Sequence, residues 1–180
     1  MDCNDLNRRV RYALMLDDAD VVDLLGFSAY PADITHICGW RLKEGEQGHV
    51  KCPPEAIKRM LDGLIVQRRG VKTDASVNSS SATNTNTGTS TSKAAEKITS
   101  ENGQAGHREI DNNDVLKQLR IALSLKVDDV HALITEGGGK LGKSEVNALF
   151  RKCSARNYRR CGDQVLRWFL AGLAARRQSE

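Results

Sequence analysis

NDLNRRVRYALMLDDADVVDLL runs over residues 4–25, and NDVLKQLRIALSLKVDDVHALI runs over residues 113–134. Laid over one another without a gap, they put Asn4 on Asn113, Asp5 on Asp114, Arg11 on Arg120, Asp20 on Asp129 and Leu24 on Leu133. The same register continues through CPPEAIKRMLDGL at 52–64 and CGDQVLRWFLAGL at 161–173, so that Cys52 meets Cys161 and Gly63 meets Gly172. Most differences between the copies preserve apolar character. A unit of about seventy residues is therefore present twice, and the fold is a question about one unit.

Within that unit Leu6, Val10, Ala13 and Leu14 recur at helical spacing, as do Val115, Leu119, Ala122 and Leu123. A second, short helix is predicted from Asp18 to Leu25 and from Asp128 to Ile134. A third follows from Pro31 to about Leu42, with Pro31 at the first helical position, and from Ser144 to Lys152. Ile57, Met60, Leu61 and Leu64, with Leu166, Phe169, Leu170 and Leu173 opposite them, make the apolar stripe of a last helix. No segment alternates as a strand does. The chain reads as all-α: two homologous small bundles of about four helices, at residues 1–70 and 109–180.

Between them, residues 71–108 include NSSSATNTNTGTSTS, which has no apolar period and little to bury. That composition predicts a disordered linker that lets the flanking blocks dock or separate. The chain lacks both a run of eighteen apolar residues and an apolar leader, which predicts a soluble, cytoplasmic protein. Five cysteines without secretory context read as free thiols. The net charge of +4 is uneven. Residues 1–70 carry ten bases and eleven acids, whereas residues 111–180 carry thirteen and eight. That asymmetry is compatible with an acidic partner or nucleic acid.

Gly137, Gly142, Lys143 and Ser144 fit the phosphate-loop pattern G-x-x-x-x-G-K-[ST]. Such a loop needs a strand before it, and the preceding DDVHALI is the counterpart of the helical ADVVDLL. The first copy has neither the glycines nor the lysine. The stretch therefore reads as a turn between two helices, with Ser144 capping the second. Cys52 and Cys161, beside Lys51 and beside Arg159 and Arg160, could be activated thiols, but small apolar plugs at a helix entrance are the expected role. His36, Cys38, His49 and Cys52 resemble a zinc set only in composition, since residues two apart on a helix do not converge and the second copy lacks three of the four. The recurring Arg11 with Asp20, and Arg120 with Asp129, read as structural ion pairs. Gly63 and Gly172 read as points of close helix approach.

Differences between the copies are the better guide to function. Trp168 replaces Arg59 opposite the apolar stripe, beside Arg167, and Lys143, Arg151, Lys152, Arg156, Arg159 and Arg160 precede it. An exposed aromatic on a basic surface is the candidate partner or nucleic-acid surface, the alternative being a solvated face whose Trp is partly covered by the sister copy.

On NDVLKQLRIALSLKVDDVHALI and CGDQVLRWFLAGLAARR, the chain resembles the YehS-like family of bacterial proteins, a two-repeat domain of unknown function. The resemblance implies a bacterial origin and a duplicated helical fold, and it brings no activity or site residue. The second and third helices are also similar to a helix-turn-helix pair, with SEVNALFRK as the reading helix. The expected function is a non-enzymatic adaptor for a protein partner, with nucleic-acid binding by the basic second copy as the alternative. No cofactor, metal or membrane is expected, and the oligomeric state is open.

Overall fold

Capping and apolar spacing place eight helices in an order that repeats itself: α1 (Cys3–Leu14), α2 (Asp18–Phe27), α3 (Ile34–Gly39), α4 (Pro54–Arg69), then α5 (Asn112–Ala122), α6 (Val127–Glu136), α7 (Lys143–Leu149) and α8 (Asp163–Gln178). This is a computed structural model that describes residues 1–70 and 111–178; the segment 71–108, read as a linker, lies outside them. No strand occurs among the described residues. The apolar stripes are buried as expected, with Val10, Leu64, Leu119 and Phe169 all essentially inaccessible.

The starts of the second helices show what local sequence can do. Asp17 accepts from the Asp20 amide at 2.8 Å while Asp20 accepts from the Asp17 amide at 2.9 Å, a reciprocal cap. Lys126 keeps half of it, its amide donating to Asp129 at 2.7 Å. Asp20 and Asp129 are thus helix caps, and their expected pairing with Arg11 and Arg120 is corrected. Arg11 instead pairs with Asp18.

The third helices are shorter than predicted. α3 begins after Asp33, which accepts from the Thr35 amide at 3.0 Å, so Pro31 lies outside it. α7 begins after Gly142, whose amide donates to Glu145 at 2.8 Å, so Ser144 is not the cap. Both helices end early because the chain returns onto them: the Val50 amide donates to Gly39 O and the Arg159 amide to Ala148 O, each at 3.2 Å. The carbonyls that another turn would need are already occupied.

The two repeats of four helices do not stand apart. Both belong to one compact body with one continuous apolar core. Inside it α2 packs on α4 and α6 on α8, each within its own repeat, but α1 packs chiefly on α8 and α5 on α4. Each repeat lends its first helix to the other. Gln118 reaches Asp62 at 2.7 Å and Arg177 reaches Leu14 O at 3.0 Å across this exchange. The blocks cannot separate freely, because parting them would strip the stripes of α1 and α5.

Two buried amides are the same in both copies. Asn4 donates to Trp40 O at 3.2 Å and Val50 O at 2.9 Å, and accepts from the Cys52 amide at 2.8 Å. Asn113 donates to Leu149 O at 2.8 Å and Arg159 O at 3.0 Å, and accepts from the Cys161 amide at 2.7 Å. One side chain ties the start of a repeat to the end of its third helix and the entrance of its fourth.

A third asparagine has the opposite character. Asn7 is wholly buried, and neither of its side-chain polar atoms has a partner among the described residues. The second copy has Leu116 there, equally buried. Burying an unpaired amide costs about 1–3 kcal/mol. Asn7→Leu is therefore expected to raise stability by about 1–2 kcal/mol, seen as a higher midpoint in thermal unfolding followed by circular dichroism.

Candidate functional site

The glycine-rich turn spends its amides on the helix it ends. Gly137 N donates to Leu133 O at 2.9 Å, Gly138 N to Thr135 O at 3.0 Å and Gly139 N to Ile134 O at 2.8 Å. With Gly142 N held by Glu145, these amides are turned inward, away from any phosphate. Lys143 bonds Asp128 at 2.9 Å, and that hydrogen bond and charge hold the Asp128 carboxyl below its ordinary range. Nothing here is arranged as a nucleotide cradle.

What the glycines do is admit Trp168. A Cβ on Gly137 would lie 1.9 Å from the Trp168 carbonyl oxygen, and one on Gly139 would lie 2.8 Å from its indole ring. Trp168 is half-buried against the core under its own repeat's turn. The exposed aromatic expected at this position is corrected: the turn that looked like a phosphate loop is its lid.

The predicted basic residues divide into two sets. Arg167 reaches across to Asp5 at 3.5 Å, Arg159 pairs with Glu145, and Lys143 is held by Asp128. Glu145 is kept below its usual range first by the Gly142 amide and then by Arg159. Arg151, Lys152, Arg156 and Arg160 form the second set, all exposed, with no carboxylate partner among the described residues. The Arg151 side chain donates to Arg156 O, at 3.0 Å.

These four lie on the loop between α7 and α8, whose backbone repeats the loop between α3 and α4. Ala155 N donates to Lys152 O and Tyr158 N to Ala155 O; Glu46 N donates to Lys43 O and His49 N to Glu46 O at matching places. Gly48, with φ of 89°, is matched by Asn157 at 65°. On one frame, residues 41–51 mix Arg41, Lys43 and Lys51 with Glu44 and Glu46, whereas residues 151–160 carry five cations and no acid. The contrast is one of charge alone.

The cysteines at the helix entrances are buried. Burial, then the charges of Asp111 and Asp163, pushes the Cys161 thiol up to about 12, and burial raises Cys52 as well. Both are protonated plugs at neutral pH. Among the described residues no three His, Cys, Asp or Glu side chains gather as a metal site. Cys38 turns to Asp18 at 3.5 Å, and His49 lies 3.3 Å from Asn4.

Sequence reasoning missed a groove of about 710 Å³ where the end of α1 meets the end of α8. Arg8, Arg11, Tyr12 and Met15 on one side and Arg177 on the other line it, with Arg41 of the first loop. Arg8 and Tyr12 stand at i and i+4 on one face of α1, with Met15 just past its end, which was the available signal. Asp18 lies behind, bonded by Arg11 and by Arg41 at 3.0 Å. Burial works to raise the Asp18 carboxyl, but those two arginines and Cys38 hold it below its ordinary value. In the second copy Asp18 becomes Val127 and Arg41 becomes Phe150, and Arg120 stacks on the Phe150 ring at 4.7 Å. The groove's charge is thus particular to the first copy.

Fold and surface define a duplicated α-helical protein whose second repeat carries a cationic loop. The chain belongs to the family described as a protein of unknown function (DUF1456), which matches residues 3–70 and 112–178, the two repeats. It is similar to the uncharacterised protein YehS of Escherichia coli (strain K12), 37% identical over 173 residues that cover 96% of this chain and 94% of that protein. No solved structure matches it. Among the described residues no helix is long and apolar enough to cross a membrane.

Proposed function

We propose that the protein is a non-enzymatic binding module whose second repeat lies on the phosphate backbone of a nucleic acid. The loop of Arg151, Lys152, Arg156 and Arg160 carries the reading, because four exposed cations there have no carboxylate partner among the described residues. An acidic protein would also suit the charge, but protein interfaces need buried apolar anchors. Among the described residues the exposed large apolar side chains, Tyr12, Met15, Phe27 and Ile34, are all in the first repeat. Phosphates need no such anchor. α7 has seven residues, with Val146 and Leu149 facing inward, which leaves little helix to read bases. Contacts to backbone rather than bases follow, with weak sequence preference.

Four phosphates neutralised on duplex DNA give a slope of about −3.6 in log affinity against log salt. Binding of a labelled duplex of about 20 base pairs, followed by anisotropy, should therefore weaken about 100-fold between about 50 and 200 mM salt. Arg151→Glu with Arg156→Glu should bring the slope to about −2. No binding at the lower salt, or a slope indifferent to those charges, refutes the reading. Polyglutamate competing as well as DNA at equal charge would move the loop to an acidic protein.

A further inference from the structure

The groove between α1 and α8 differs from the cationic loop in what it offers. It combines an aromatic ring, a flexible thioether and arginines, the residue types enriched where proteins bind proteins. Tyr12 is 66% and Met15 72% exposed, the largest exposures among the large apolar side chains of the described residues, although both stand beside a buried core. Their counterparts Ile121 and Ser124 make no such exposed pair. Four arginines line the groove against one lining carboxylate, Asp17; Asp18 lies behind Arg11 and Arg41, Asp5 lies 4.0 Å from Arg8, and Arg177 has no carboxylate partner among the described residues. At its floor Arg11 is 5% exposed, and its Nη1 has no hydrogen-bond partner among the described residues. A buried guanidinium with an unused donor is costly to keep, and an anionic group brought beside it would offset that cost.

We infer that this groove seats an extended segment of a protein partner in which apolar side chains alternate with carboxylates. Alternation follows from the layout. Apolar side chains of the segment lie on Tyr12 and Met15, and its carboxylates meet Arg8 and Arg41 along one wall and Arg177 across from them. Arg177 and Gln178 are fixed in place for this, bonded to Leu14 O at 3.0 Å and to the Tyr12 hydroxyl at 2.9 Å. A small ligand would leave Tyr12 and Met15 largely wet, whereas a segment laid across the groove covers both. Because α1 and α8 come from different repeats, only the assembled pair presents the site. The inference stands apart from the nucleic-acid reading of the loop, with which it shares no residue.

The test uses the full chain with methionines labelled at the methyl carbon, since Met1, Met15 and Met60 are its three methionines and Met60 is buried. A peptide of alternating aspartate and leucine is titrated in. The Met15 methyl resonance should shift with a midpoint in the micromolar range while Met60 stays still. A labelled form of the peptide should bind at least about 10-fold more weakly to Tyr12→Ala and to Arg177→Gln. Both substitutions keep the core side chains: Tyr12→Ala removes an exposed ring with its bond from Gln178, and Arg177→Gln removes the bond to Leu14 O. A peptide with lysine for aspartate should not bind. The inference is overturned if Met15 is unmoved at millimolar peptide, if the lysine peptide binds equally, or if the leucines can be changed to serine without loss. It is also overturned if duplex DNA shifts Met15 as the peptide does, or if the shift tracks self-association in sedimentation. Failure of DNA to bind leaves this outcome untouched, so the two readings fall separately.

Discussion

Gly172→Ala should destabilise the protein by about 3 kcal/mol or more, read as a lowered urea midpoint with an unchanged slope. A Cβ at Gly172 would sit 1.9 Å from the carbonyl oxygen of Leu133, and one at Gly63 would sit 1.9 Å from that of Leu24. In both repeats the last helix lies with its backbone against the backbone of the second. The obstacle is main chain on both sides, so no rotamer change relieves it, and α8 must move off α6. Ordinary helix propensity runs the other way, favouring Ala over Gly by about 1 kcal/mol in a helix interior. A gain in stability would therefore show that the two backbones do not touch. Gly63→Ala should behave alike, and the pair together should exceed the margin of about 5–15 kcal/mol typical of a domain, or come close to it.

The second large effect lies at the repeated asparagine. Asn113→Ala removes three hydrogen bonds at once and leaves Leu149 O, Arg159 O and the Cys161 amide without their side-chain partner. Buried groups left unpaired cost about 1–3 kcal/mol each, and with water reaching the Arg159 side a loss of about 3 kcal/mol is expected. Asn113→Asp is the sharper variant. It is nearly isosteric, yet it turns a carboxylate oxygen toward two carbonyl oxygens and should be no better than alanine at neutral pH. If it unfolds at the same denaturant concentration as the unaltered protein, the amide is not what ties the third helix down.

Legibility divided along a physical line. Apolar period and repeat register exposed the helices because those signals are local, and Gly63 and Gly172 were readable because small residues on an apolar stripe mark close approach. The exchange of α1 and α5 was not, since a stripe says that a face is buried and not against what. Third-helix lengths were misjudged because their ends are set by amides arriving from Val50 and Arg159, well beyond the helix. Arg11 seemed a partner for Asp20 because both recur, but Asp20 recurs as a cap and the true partner, Asp18, exists in one copy only. Trp168 lies off the apolar stripe, which predicts exposure, and the glycines that cover it match a phosphate-loop pattern, which hides their role as its lid. Asn4 and Asn113 carried the clearest overlooked signal: a polar residue, identical in both copies, in phase with buried neighbours.

The exchange of helices also bears on how the protein is made. A ribosome delivers α1 first and α8 last, and the contact between them spans nearly the entire chain, the kind of closure that slows folding most. The first repeat cannot finish on its own while synthesis continues, since α1 waits for α8 and α4 waits for α5. A nascent chain that has released only residues 1–70 therefore holds two apolar helical faces open to solvent, and needs its second half before either can close.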